Sequence, residues 1–101
     1  VKTPVPAPSP GRLILFLAGD APSSQRARHN LKSALLERGI ADASITEVNV
    51  LAEPSVALQK RIFATPALIA EREDLNIIIY GDLSEQATLV RFLDGALAAM
   101  A

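Results

Sequence analysis

Leu13-Ile14-Leu15-Phe16-Leu17-Ala18 is an unbroken apolar run that stops at Gly19-Asp20. Hydrophobicity without alternation marks a strand buried on both faces, as at the centre of a sheet. The period then changes. Ala27, Leu31, Ala34 and Leu35 recur at helical spacing, with Arg26, Arg28, His29, Lys32 and Glu37 falling largely elsewhere, which predicts a helix over 22–38 closed by Gly39. Asp20-Ala21-Pro22-Ser23-Ser24 ahead of it offers caps and an early-turn proline. Ile45-Thr46-Glu47-Val48-Asn49-Val50 alternates and is β-branched, so it reads as a second strand, and strand–helix–strand implies parallel pairing. A short helix over 54–62 follows, opened by Pro54, with Leu58 and Ile62 on its buried face.

Pro66 stands between that helix and the next apolar run, Ala67-Leu68-Ile69-Ala70. Proline has no N–H, so it fits the first position of a strand and not its interior, and it disfavours helix at Thr65. A fixed cis Thr65-Pro66 bond and an ordinary trans proline are both compatible with the local sequence. Ile77-Ile78-Ile79-Tyr80 is the last strand, and the brief charged link before it suits an antiparallel hairpin, because a parallel return needs a longer crossover. Gly81-Asp82-Leu83-Ser84 ends that strand, with Ser84 placed to cap a final helix. There Leu89, Phe92, Leu93, Ala96 and Leu97 make the cleanest amphipathic stripe in the chain. The order β-α-β-α-β-β-α is that of a thioredoxin-like α/β fold.

Composition narrows the function more than the fold. The chain has 101 residues, half of them apolar, enough for one domain with one modest core. Residues 1–11 carry Pro4, Pro6, Pro8 and Pro10 at alternate positions and favour extended polyproline II, so they are expected to form a flexible linker or appended arm outside a domain spanning 12–101. Val1 in place of Met points to a native start elsewhere. Net charge is −1 with no clustered basic stripe, which argues against a nucleic-acid partner. No apolar run approaches a membrane span and no signal-peptide pattern appears, so the expectation is a soluble, cytoplasmic domain. The absence of cysteine excludes disulfides, cysteine-ligated metals and thiol redox chemistry.

That last exclusion bears on the junction of strand one and helix one, where redox members of this fold carry their dithiol. Ser23 or Ser24 could there activate a bound thiol such as glutathione, or simply cap the helix. His29, the single histidine, falls off the apolar stripe and has no partner for a triad or metal site. Glu71, Glu73 and Asp74 read as a solubilising hairpin tip, and Lys60-Arg61 as a solvated pair able to meet an acidic partner patch. Gly81-Asp82-Leu83-Ser84 is either a plain turn and cap or a hinge about which strand and helix rearrange. No catalytic, metal or cofactor residue emerges.

Taken together, residues 15–24, Phe63-Ala64-Thr65-Pro66-Ala67-Leu68 and Gly81-Asp82-Leu83-Ser84 resemble the KaiB family of small circadian-clock proteins, with Val48-Asn49-Val50-Leu51 and Pro54 extending the match. The resemblance spans about residues 12–98. It implies a non-enzymatic protein that docks on the hexameric ATPase KaiC, with KaiA or a clock-output histidine kinase as further partners and self-association to a dimer or tetramer. It also implies exchange between the thioredoxin-like form and a ground state ordered β-α-β-β-α-α-β. Carried onto this sequence, Lys60, Arg61, Ala64, Thr65 and Pro66 become the partner-binding residues, and Gly81, Asp82 and Ser84 the fold-switch hinge. The family's proline-rich connection before Gly-Asp-Leu-Ser is replaced by Glu73-Asp74-Leu75, which should favour the thioredoxin-like arrangement and admits relatives in stress responses or with divergent KaiC proteins. Two rival readings are the sensor domain of a KaiC-interacting histidine kinase and a cysteine-free glutathione-binding domain.

Overall fold

A four-stranded sheet in the order β2-β1-β3-β4 is sandwiched between helices. The computed structural model describes residues 12–39, 45–72 and 75–100. Its elements are β1 (Arg12–Leu17), α1 (Pro22–Glu37), β2 (Ile45–Asn49), α2 (Pro54–Gln59), β3 (Ala67–Arg72), β4 (Leu75–Tyr80) and α3 (Gln86–Met100). The thioredoxin-like order is therefore present. The expectations for the 1–11 arm and for Glu73 and Asp74 lie outside the described residues, as do the side chains of Ala96 and Leu97.

β1 is the axis of the core. It pairs parallel with β2 and antiparallel with β3, and every one of its residues from Leu13 to Leu17 is buried. Alternation along the strand sends Leu13, Leu15 and Leu17 to the face covered by α1 and α3, where they meet Leu31, Leu35, Leu83, Leu89 and Leu93. Ile14 and Phe16 point the other way, to Val48, Ala57, Ile62 and Ile69 beneath α2. An unbroken apolar run is thus what two covered faces demand.

Three features differ from the sequence reading. α2 stops at Gln59 instead of reaching Ile62, because the chain turns left-handed at Arg61 (φ 59°). The Ile62 N–H then reaches back to the Ala57 carbonyl at 2.8 Å and the Arg61 N–H to that of Leu58 at 3.0 Å, a Schellman closure with arginine where glycine is usual. Ile62 is buried as expected, but through this turn and not a helical face, so Ala57 becomes the inward residue and Leu58 stays 65% exposed. The hairpin strands each run two residues longer than their apolar runs, taking in Glu71–Arg72 and Leu75–Asn76. Finally, neither Ser23 nor Ser24 caps α1. Ala21 occupies that position with no side-chain bond, and Pro22 is the first helical residue.

Candidate partner-binding surface

Four connecting segments carry the candidate residues. The first follows α2. Lys60, its C-cap residue, donates to Glu71 of β3, which also accepts from Arg12 Nη2 of β1 at 3.0 Å. Glu71 is mostly shielded, and the Lys60 bond holds its carboxyl below the ordinary 4.5, burial opposing and Arg12 adding to the effect. Lys60 is therefore not the solvated cation read from its neighbour pair, nor is Glu71 part of a hairpin tip. Together they anchor the end of α2 to the sheet. Arg61 beside them is exposed.

The second connection is Phe63-Ala64-Thr65-Pro66. Phe63 is 78% exposed, Ala64 is exposed, Thr65 half-buried and Pro66 buried, with a cis Thr65-Pro66 peptide. The Pro66 carbonyl accepts the Gly81 N–H at 2.9 Å. This bond joins the two residue sets named from the sequence, the partner-binding segment and the hinge.

At the third connection Gly81 (φ 109°) adopts a backbone closed to other residue types, and Leu83 (φ 63°) is left-handed although it has a side chain. That side chain is buried in the α1/α3 cluster. Between them Asp82 is held by all three of its oxygens: its Oδ1 accepts the Ser84 N–H at 3.0 Å, its Oδ2 the Arg26 Nε–H at 2.8 Å, and its carbonyl the Asn30 amide at 2.9 Å. Hydrogen bonds from Ser84 first, then Arg26, lower the Asp82 carboxyl from 3.8 to about 2. Ser84 thus serves Asp82, while α3 begins two residues later at Gln86. Arg26 and Asn30 were missed by sequence reasoning. Their i, i+4 spacing puts them on one face of α1, but nothing local says that the face meets residue 82.

The fourth connection is 19–24. Ser24 is 1% exposed and its hydroxyl accepts the Ala18 N–H at 2.9 Å, pinning the strand end to the helix. Asn49 Oδ1 accepts the N–H groups of Gly19 and Leu51, tying this loop to the one after β2. Gly19 is left-handed (φ 58°) and a Cβ there would sit 3.2 Å from Leu51 Cδ1, so a side chain would push on this strap. His29 is exposed, and no group of metal-ligating side chains forms among the described residues.

Both carboxylates are depressed in the folded state, so each contributes stability above its unfolded pKa and loses it as pH falls through the folded one. The melting temperature is expected to stay level from about pH 7 to about 5 and to drop below that, as Glu71 and Asp82 take up protons. Melts of Glu71→Gln and Asp82→Asn across this range check the assignment. Each should start lower at neutral pH and fall less in acid, and parallel curves for variant and parent would refute it.

The fold is that of a thioredoxin-like domain without cysteine, with a cis proline at the entrance to β3. The structure resembles oxidized mitochondrial thioredoxin 3 of Saccharomyces cerevisiae at a TM-score of 0.69 and 15% identity, over 86% of this chain and 79% of that one. It resembles the N-terminal domain of Synechococcus elongatus SasA at 0.69 and 24%, over 98% and 93%. These likenesses carry the fold alone. The KaiB domain family matches residues 14–94. The circadian clock oscillator protein KaiB of Microcystis aeruginosa is 34% identical over 81% of this chain and 79% of its own length. That of Prochlorococcus marinus subsp. pastoris is 33% identical over 81% and 77%. The chain belongs to the KaiB family. Among the described residues no helix is long and apolar enough to cross a membrane.

Proposed function

We propose that this chain is a non-catalytic, clock-type regulatory protein that docks on a KaiC-type hexameric ATPase. The observation that carries the reading is the Pro66–Gly81 hydrogen bond, which couples an exposed contact surface to the turn proposed as hinge. Arg61, Ala64, Thr65 and the neighbouring Phe63 form the surface, Pro66 shapes it, and Lys60 holds it in place through Glu71. Gly81, Asp82 and Ser84 form the hinge. Passage to a β-α-β-β-α-α-β arrangement would break the β3–β4 ladder, release Asp82 from Arg26 and Asn30, and withdraw Leu83 from the core. Such an exchange is slow, and the partner acts by binding one conformer better than the other. KaiA or a clock-output histidine kinase would be further partners.

The test is gel filtration with a KaiC-type hexamer and ATP, sampled over hours. Slow co-elution supports docking after a conformational step, fast co-elution docking by the form described here, and none with an active ATPase rejects the function. Arg61→Gly separates docking from folding. It removes the exposed guanidinium and relieves a left-handed non-glycine residue, so stability should rise by about 0.5–1 kcal/mol. Affinity for the hexamer should nonetheless fall about tenfold, as for loss of an interfacial arginine. Unchanged affinity would remove Arg61 from the surface.

The SasA likeness favours, as a second reading, a sensor domain of a KaiC-interacting kinase. A transmitter region in the same gene would decide for it. The glutathione reading loses half its basis, since the Ser24 hydroxyl is buried and already engaged.

A further inference from the structure

Two polar links hold α1 against the segment 82–94. At one end the Asn30 amide donates to the Asp82 carbonyl at 2.9 Å, and at the other Arg38 Nη2 donates to Asp94 Oδ1 at 2.8 Å. Between them lies a cleft of about 160 Å³. Asn30, Ser33, Ala34 and Glu37 form its α1 wall, at the i, i+3, i+4, i+7 spacing of one helical face. Leu83, Gln86 and Leu89 stand opposite. The buried members Ala34, Leu83 and Leu89 make an apolar floor, and the exposed Ser33, Glu37 and Gln86 make a polar rim.

An apolar floor with a few polar groups around it is the usual build of a small-molecule site. A cavity of about 150 Å³ admits benzene, so this space suits one six-membered ring. Charge narrows the ligand further. Among the described residues Glu37 is the only Asp, Glu, Lys or Arg side chain lining the cleft, and it makes no ion pair or side-chain hydrogen bond. Its neighbour Arg38 is taken up by Asp94. His29, the other titratable group on the wall, lies eight positions back along α1, roughly 12 Å away along the axis.

We infer that this cleft is a binding site for a small cyclic organic amine, its ring on Leu83 and Leu89 and its ammonium group at Glu37. The two end links hold the walls in place before a ligand arrives, so little ordering opposes binding. Leu83 and Asn30 belong both to the cleft and to the 81–84 turn, so occupancy favours the conformer in which Leu83 stays in the core. The site goes beyond ATPase docking and does not rest on it.

Benzylammonium is the probe, titrated into the ¹⁵N-labelled full chain at neutral pH. Benzoate supplies the same ring with the opposite charge, and methylammonium the charge without the ring. The amide signals of Ser33, Leu83 and Leu89 should shift saturably with benzylammonium, sharing one Kd, and should stay in place with the other two compounds. Glu37→Gln should weaken benzylammonium about two- to fivefold, as for loss of an exposed ion pair. Ser33→Leu, at an exposed helix position, fills the cleft and should abolish the shifts with an unchanged circular-dichroism spectrum. The comparison of the three compounds on the parent chain decides independently of how the variants fold. Benzoate binding as well as benzylammonium, shifts spread instead over other carboxylates such as Asp20 and Glu53, or binding that survives both substitutions overturns the inference.

Discussion

Truncation of Phe16 to alanine is expected to cost about 3–5 kcal/mol, enough to leave much of the chain unfolded without denaturant. Phe16 is 0% exposed and sits at the centre of the smaller of the two apolar layers, among Ile14, Val48, Ala57, Ile62 and Ile69. That layer has little to fall back on. α2 is six residues long, too short to persist without packing, and it meets the layer mainly through Ala57 and the turn residue Ile62. A cavity at Phe16 therefore opens beneath the element that carries Arg61 to the surface, so stability and docking should fail together. Urea titration reads the first, as a lower midpoint with an unchanged slope. A loss below about 1 kcal/mol would mean that α2 collapses into the space and that the layer is less tightly built than its burial indicates.

The same two-layer logic explains what the sequence discloses. β1 is legible because burial on both faces writes itself as an unbroken run, and α1 and α3 because one buried face imposes a helical period. The serines at the start of α1, the limits of the hairpin and the end of α2 are less legible for one shared reason. Each is decided by a partner distant in sequence or by backbone conformation. Glu71 looks like part of a charged tip until Arg12 and Lys60 are found around it. Arg61 gives no warning that it ends a helix left-handed, because glycine, which would announce it, is absent. Asp82 stands out from its neighbours as a candidate hinge or turn residue, but its holders Arg26 and Asn30 lie more than fifty positions away. Local pattern reports which face is buried. It does not report which polar groups meet.

Leu83→Ala is expected to lower stability by about 2–5 kcal/mol, and to do so at the 81–84 turn. Leucine in a left-handed conformation is unfavourable by roughly 1–2 kcal/mol, so something must hold it there. What holds it is burial against the α1/α3 cluster on one side and, next to it, the three bonds that fix Asp82. Alanine keeps the left-handed cost and forfeits the burial, so the turn loses its apolar anchor while its polar clamp remains. Asp82→Asn does the reverse, breaking a partly exposed ion pair and leaving Leu83 in place, and should have the smaller effect. Amide exchange then tells anchor from clamp. In Leu83→Ala the protection of Gly81 and Leu89 should fall further than that of β1, because the turn and the start of α3 open before the sheet does. Equal losses in the two variants, or a uniform loss across the sheet, would show that the turn has no stability of its own to give up. A local loss would instead mean that the energy retaining the thioredoxin-like arrangement is concentrated in one strained, buried residue, where a partner bound across the Pro66–Gly81 bond could act on it.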